Sequence, residues 1–341
     1  MAETEPTKKF FSKRVGRNVF DSPPRISIVI PAYNAADHIC ETLDSVKAQK
    51  FREYEIIVVN DGSPDTDKLE RAIKMRLEDI IYIKQRNAGA AVARNTGIEH
   101  ARGEIIAFLD ADDIWQPDYL TSQFVFLQRH SYDMVYCDAA LFGHRSAYRK
   151  TFMETAPSEG EPDFDAILSL RCNVITSGTM ARKAAILRAG MFENDRVKAE
   201  DFHLWLRMAK TGSKIGYQRK ILLKYRVHLN SLSGDAIDRI ERAIDVFERV
   251  ERTIELSEQQ HADLEQTIAG LKADLAVEQG KAFLIHGEYA EAARSFGTAN
   301  AHRKSLKLTA IGLLTRLAPQ TLLRFYKTSR PADIALTPRQ N

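Results

Sequence analysis

The chain of 341 residues is about twice the usual domain size, so more than one folding unit is expected. Its 49 Lys+Arg nearly balance 46 Asp+Glu, and 44% of the residues are hydrophobic, which is ordinary for a soluble protein with a sizeable core. Wholesale disorder and a nucleic-acid-coating role are excluded, and the longest apolar stretch, 311–323, is too short and too interrupted by Arg316 and Pro319 to cross a membrane.

Residues 1–24 open with acids and lack the apolar core of a secretory signal. They read as a flexible basic arm, with the cytoplasm as the expected address. The cysteines, Cys40, Cys137 and Cys172, are odd in number and widely spaced, which fits buried free thiols in a reducing compartment. The run 26–30 predicts a buried strand ending at Pro31, followed by a helix over 36–47. A second strand over 55–59 stops at Asn60-Asp61-Gly62-Ser63. Then come a helix over 67–75, a strand over 80–83, a loop at 86–89, a helix over 90–101 and a strand over 105–109. That strand runs into Asp110-Ala111-Asp112-Asp113. Strands alternating with helices predict a parallel, doubly wound α/β sheet, whose ligands sit beyond the carboxyl ends of the strands. Tyr33, Asp61 and the 110–113 cluster stand at those ends.

The region 134–234 predicts less regular α/β structure, with strands at 134–137 and 174–180, helices at 164–170 and 200–210, and an extended run over 220–228. From Asp235 the pattern is helical. Apolar residues at spacings of three and four over 235–278, broken near Ser257, predict either an antiparallel helix pair or a homo-oligomeric coiled coil. A helical hairpin is expected over 280–299.

Three carboxylates within four residues repel one another, and a hard divalent cation, Mg²⁺ or Mn²⁺, is the simplest remedy when phosphates share it. A first helical turn also accepts aspartates. The position directly after a buried strand favours a site. Asp61 fits an Asx turn at Gly62, or a carboxylate accepting from the N–H of a pyrimidine base, with Tyr33 beside the base. Arg94 would meet a diphosphate if it points into the cleft; otherwise it is a surface helix arginine. There is neither a glycine–lysine phosphate loop nor a dinucleotide fingerprint.

Taken together, Ser27-Ile-Val-Ile-Pro-Ala-Tyr-Asn34, Val58-Val-Asn-Asp-Gly-Ser63, Asn87-Ala-Gly-Ala-Ala-Val-Ala-Arg-Asn-Thr-Gly97 and Gly103-Glu-Ile-Ile-Ala-Phe-Leu-Asp-Ala-Asp-Asp113 are far more specific than any one motif. The chain resembles a family-2 inverting glycosyltransferase of the GT-A fold, a Rossmann-like nucleotide-diphospho-sugar transferase domain, here followed by a C-terminal α-helical region. The resemblance covers about 25–232 and implies that Pro31, Tyr33, Asp61 and Arg94 bind the donor nucleotide. Asp110 and Asp112 would form a D-x-D motif, with Asp112 and His228 as metal ligands. Ala199-Glu-Asp-Phe-His-Leu-Trp-Leu-Arg207 resembles the family's E-D motif, which would make Asp201 the catalytic base. Glu200, Trp205, Ser177 and Gly178 would then shape the acceptor site. In isolation Glu200 and Asp201 would be a helix cap, and Trp205 and Trp115 core packing. One departure is Asn60, where many members carry Asp.

Composition, apolar spacing and the resemblance together predict three parts: the arm 1–24, a transferase domain 25–234 (nucleotide-sugar half 25–113, acceptor half 114–234), and a helical region 235–341. A UDP-sugar donor and a glycan or lipid-linked acceptor are the expected partners, with no nucleic acid. Residues 300–341 hold eight Lys/Arg and one acid, Asp333, interleaved with leucines. Two arrangements fit this tail: a peripheral helix on an anionic membrane surface at the inner face, or a last helix pair packing on 235–299. The competing function is a non-catalytic sugar-nucleotide-binding or scaffold protein working through its helical end.

Overall fold

The computed structural model describes residues 11–13, 24–143, 150–193, 200–227 and 236–329. The chain begins with β1 (Phe11–Lys13) and β2 (Ile26–Ala32). It then alternates through α1 (Ile39–Lys47), β3 (Tyr54–Asp61), α2 (Thr66–Ile73), β4 (Ile80–Gln85), α3 (Ala90–His100) and β5 (Ile105–Phe108). A less regular stretch follows: β6 (Ile114–Trp115), α4 (Tyr119–Arg129), β7 (Met134–Gly143), α5 (Phe152–Thr155), α6 (Phe164–Leu168) and β8 (Thr179–Arg182). Then come α7 (Lys183–Arg188), α8 (Glu200–Lys210) and β9 (Ile215–Val227). The described residues fall into two compact units, one made of residues up to 226, the other of those after it together with Gly143 and Leu168–Leu170. That division falls a little before the compositional change at Asp235.

The first unit is a GT-A-like mixed sheet flanked by helices, with strand order β1-β4-β3-β2-β5-β8-β7-β9-β6. Only the centre, β4-β3-β2-β5, is parallel. The sequence predicts a parallel sheet throughout; instead β8 runs antiparallel to β5, β7 antiparallel to β8, and β6 antiparallel to β9. The arm contributes as well: Phe11–Lys13 pairs antiparallel with β4, covering that edge with three residues too few to leave a sequence signal.

The central strands are continuous apolar runs because both of their faces are covered. Ile28, Ile30, Ile56, Val58 and Ile105 pack against Ile39, Leu43 and Val46 of α1 and Leu69 and Ile73 of α2. Val29 alternates to the other face, where α3 lies on β2 and β3. At Gly97 a Cβ would stand 2.4 Å from Val29 Cγ1, so the close approach of α3 requires glycine there. Ile26, Ile28, Val29 and Ile30 are fully buried. At about 1.5–3 kcal/mol each they contribute roughly 6–12 kcal/mol, against which chain ordering works.

The expected strand over 174–180 is mostly something else. Thr176–Gly178 is a single 3₁₀ turn, and β8 starts only at Thr179. The turn bends the chain so that the side chains of Thr176 and Ser177 reach different partners. Among the thiols, Cys137 and Cys172 are buried and Cys40 is half-buried, all free. Burial pushes the Cys137 and Cys172 thiols up.

The second unit is helical: α9 (Ala236–Thr253), α10 (Glu258–His286), α11 (Tyr289–Arg303), α12 (Leu306–Leu317) and α13 (Pro319–Ser329). The break at Ser257 is a capping box, in which Ser257 Oγ accepts from Gln260 N–H (3.3 Å) and Ser257 N–H donates to Gln260 Oε1 (3.1 Å). Ile244, Phe247, Val250 and Leu264 are buried where α9 and α10 pack together. The hairpin turns at Gly287, whose φ of 82° suits the left-handed C-cap of α10. Gly280 lies inside α10, against Phe296 of α11. Among the described residues no helix is long and apolar enough to cross a membrane.

Candidate functional site

The loops after β2, β3 and β5 meet at the carboxyl ends of the parallel strands, as the topology requires. Asn34, at φ 53°, donates its N–H to Ser63 Oγ (2.6 Å), and Ala36 N–H donates to Asp65 Oδ2 (2.9 Å). The β2 and β3 loops are thereby tied together. Pro31 is half-buried in β2, and Tyr33 projects into solvent, 56% exposed. Asn60 is buried. Its Nδ2 donates to Tyr82 Oη (2.7 Å) and Thr66 Oγ1 (3.0 Å), and its Oδ1 accepts from Ser63 N–H (2.9 Å). An amide supplies both polarities here, which a carboxylate at this position would not.

Asp61 is 3% exposed and organises the next loop. Its Oδ1 accepts from Gln85 Nε2 (2.7 Å) and Ala88 N–H (2.9 Å), and its Oδ2 accepts from Gly89 N–H (2.8 Å). A carboxylate has about four acceptor positions, so one remains at Oδ2. Gly62 lets the two loops touch: its φ is +61°, and a Cβ would stand 2.5 Å from Asn87 N. The expected Asx turn belongs to Asn60, whose Oδ1 takes the Ser63 amide, while the Asp61 carboxylate holds the Ala88–Gly89 loop.

Arg94 is neither on the surface nor open to the cleft. It is 6% exposed, and its Nη2 donates to Asp110 Oδ1 at 2.8 Å. Asp110 and Asp112 are both partly exposed beyond β5. Asp113 turns inward, 1% exposed, with Oδ1 accepting from Arg226 N–H (2.8 Å). Burial, and next the charges of Asp112 and Asp110, push its carboxyl well above the usual carboxylate range. Arg226 also donates through Nε to the carbonyl of Asp112 (2.8 Å) and pairs with Glu41. The repulsion among the three aspartates is thus relieved partly within the chain. Arginine pairing offsets it at Asp110, while Asp113, held by the Arg226 amide, still feels both neighbours.

The 3₁₀ turn joins this end to the other expected carboxylate. Thr176 Oγ1 donates to Asp201 Oδ2 at 2.5 Å, and Ser177 Oγ accepts from Asp110 N–H at 3.1 Å. Asp201 sits in the first turn of α8, partly exposed, with Oδ1 accepting from Phe202 N–H (2.8 Å). Neighbouring residues of one buried turn therefore hold both ends of the site.

Trp115 anchors that turn by donating Nε1–H to the carbonyl of Ser177 (2.8 Å) while stacking on Tyr119. Nothing in the local sequence signals these roles of Thr176, Trp115 or Arg226.

Several expected acceptor residues are elsewhere. Trp205 is fully buried and packs edge-on against Phe192 (6.0 Å) and beside Phe108 (6.1 Å), so it belongs to the core and cannot stack on a sugar. Ser177 and Gly178 are buried too. A Cβ at Gly178 would stand 3.0 Å from Ile175 and 3.2 Å from Cys137 Sγ, so these two residues support the site from behind. Glu200 opens α8, but its side chain lies outside the described structure, as does all of His228.

Among the described residues no group of three or more His, Cys, Asp or Glu is arranged to hold a metal ion. The donor set nevertheless fits one: Asp110 and Asp112 are carboxylates beside open space, the oxygen chemistry that Mg²⁺ or Mn²⁺ takes together with phosphate oxygens.

Known proteins carry the same frame. A family model, Glycosyl transferase family 2, matches residues 27–188. The chain is 30% identical over 224 residues to the UDP-Glc:alpha-D-GlcNAc-diphosphoundecaprenol beta-1,3-glucosyltransferase WfaP of Escherichia coli, covering 65% of this chain and 84% of that one. It is 29% identical over 215 residues to the putative teichuronic acid biosynthesis glycosyltransferase TuaG of Bacillus subtilis, covering 62% and 82%. Among solved structures, the mannosyltransferase PcManGT of Pyrobaculum calidifontis, in complex with GDP-Man and Mn²⁺, shares the fold. Its TM-score is 0.61 at 21% identity, over 93% of this chain and 86% of that one.

Proposed function

The chain belongs to glycosyl transferase family 2, and from that premise we propose that it is an inverting transferase moving a sugar from a UDP-sugar to a hydroxyl of a glycan or lipid-linked acceptor in polysaccharide or glycoconjugate assembly. The observation that carries this reading is the turn at Thr176–Gly178, which fixes Asp201 and Asp110 from adjacent residues. Inversion needs a base on the face of the anomeric carbon opposite the leaving diphosphate. A single turn that bonds the Asp201 carboxylate and the Asp110 amide from adjacent residues supports placing a base and a diphosphate-side residue in one site.

In this mechanism the uracil lies at Tyr33 and Pro31, with its N–H toward the remaining acceptor position of Asp61. Asp201 takes the proton from the acceptor hydroxyl as that oxygen attacks. Thr176 holds the carboxylate through Oδ2 and the Phe202 amide through Oδ1, and the remaining acceptor positions of the partly exposed group would serve the substrate. Asp110, kept in place by Arg94 and Ser177, borders the diphosphate. Asp112, with His228, would hold the divalent cation, which supplies neutralisation of the charge developing on the leaving diphosphate. WfaP is named for a UDP-glucose donor and a diphosphoundecaprenol-linked acceptor, which supports UDP and a lipid-linked glycan as the first choices here.

The test is release of nucleoside diphosphate from a panel of UDP- and GDP-sugars with Mn²⁺ or Mg²⁺, with and without glycan acceptors. Asp201→Asn should bind donor as the wild type does and lose at least about a thousandfold in transfer. Equal turnover by Asp201→Asn would remove the base assignment. Failure to bind any donor would remove the transferase reading and favour a scaffold role.

A further inference from the structure

Helix α12 has two apolar faces, and the fold uses one of them. With about 100° between successive helical residues, Leu308, Ile311 and Thr315 share a side. There Leu308 and Thr315 are buried, and Ile311 packs with Leu284, Ala292, Phe296 and Ala299. Leu306, Ala310, Leu313 and Leu317 lie on the opposite side, with Leu314 at its edge. All are exposed, Leu306 by 88%, Leu317 by 81% and Leu313 by 54%. The distribution is inverted relative to a helix shaped by water alone: a threonine is inside, its hydroxyl returned to the Ile311 carbonyl (2.7 Å), and four leucines are outside.

The charges name the occupant. Lys307 flanks the leucine stripe on one side and Arg316 on the other, both exposed. Residues 303–329 contain Arg303, Lys304, Lys307, Arg316, Arg324 and Lys327 and no acid, and Phe325 on α13 is a further large apolar side chain, 69% exposed. A stripe of leucine between two cationic edges matches a surface that is apolar beneath and anionic above, the two chemistries a bilayer of acidic phospholipid presents in one plane. We propose that the outer face of α12 docks on an anionic phospholipid bilayer, its leucines at the acyl boundary and Lys307 and Arg316 among the headgroups.

The inference is independent of the catalytic assignment and is tested on the full chain without substrate. Co-sedimentation with vesicles of equimolar phosphatidylcholine and phosphatidylglycerol should exceed that with phosphatidylcholine alone by about tenfold or more. Leu313→Gln with Leu317→Gln should abolish it. Lys307→Glu with Arg316→Glu, which leaves the leucines intact, should weaken it by about tenfold. Both pairs alter exposed positions, so thermal melting should not change; if the leucine pair does disturb melting, the charge pair decides. Absence of wild-type binding, or binding equal to wild type by both variants, overturns the proposal. So does a concentration-dependent dimer in sedimentation that the leucine pair abolishes while vesicles have no effect, because the stripe then belongs to a second copy of the chain.

Discussion

Replacing Thr176 by valine keeps the β-branched shape and removes one hydroxyl. That hydroxyl donates to Asp201 Oδ2 at 2.5 Å from a residue only 5% exposed, so the substitution creates no cavity and no orphaned donor. What is lost is one hydrogen bond to an ionised group, a contribution of about 1.5–3 kcal/mol. If that energy holds the carboxylate in its reacting position, the loss appears in the transition state. At about 1.36 kcal/mol per factor of ten, kcat then falls by roughly 10- to 150-fold. The donor KM should stay within about twofold, because Asp61 and Arg94 are held by other bonds. Steady-state release of nucleoside diphosphate at saturating donor measures both constants, and Thr176→Ser, which restores the hydroxyl, should recover most of the rate. If Thr176→Val turns over within twofold of wild type while Asp201→Asn is inactive, the turn does not position the base, and the central observation behind the mechanism loses its meaning.

Three stability predictions follow from the same geometry. Asp110→Asn removes the negative charge that faces the buried Arg94 guanidinium. Because Asp110 is itself about one-third exposed, the cost is set below the full value for a buried pair, at about 2 kcal/mol in urea unfolding. Gly62→Ala forces a side chain into a φ of +61° and against the Asn87 backbone; a loss of at least about 2 kcal/mol and a raised donor KM are expected, from unfolding and kinetics respectively. Two glycines of α10 should respond with opposite signs. Gly270→Ala meets nothing within 4 Å and should gain up to about 1 kcal/mol of helix propensity, while Gly280→Ala would put its Cβ 2.7 Å from the buried Phe296 ring and should lose about 1–2 kcal/mol net. Differential scanning calorimetry reads both.

The parts of the fold legible in the sequence are those written locally. β2 to β5 are runs of apolar residues ended by polar ones, and their order alone predicts which ends carry the site. The antiparallel half is not local: β8 pairs with β5 and β7 across long separations, and nothing in Thr179–Arg182 specifies those neighbours. Trp205 was ambiguous for a different reason, since an aromatic among apolar helix residues has the same spacing whether it faces a sugar or Phe108 and Phe192. Arg94 and Asp61 can be picked out in the sequence, but the bonds they make cannot. Their partners, Asp110 and the Ala88–Gly89 amides, lie in other loops, and one carboxylate can serve loop and ligand together. The Thr176–Ser177 bridge left no trace at all, because it consists of single hydrogen bonds spanning 25 and 67 residues.

The acidic cluster shows where a sound local argument needs the surrounding structure. From the sequence, three aspartates in four residues call for a cation to hold them together. In the fold, Arg94 pairs with Asp110, while Asp113 is turned inward onto the Arg226 amide, and the Arg226 side chain fastens the Asp112 carbonyl. The loop therefore has its own restraints, and in the proposed reaction a divalent cation would serve the diphosphate rather than the protein. Two readouts separate these demands. Chelation with EDTA should abolish sugar transfer, restored by Mn²⁺ or Mg²⁺, while the melting temperature without donor stays within about 2 °C, a shift that corresponds to about 1–1.5 kcal/mol for a chain of this size. Donor binding with metal should then raise melting by mass action. A fall of many degrees on chelation alone would mean that the aspartates still depend on the ion for their arrangement, and that the pairing by Arg94 and Arg226 is too weak to hold the loop.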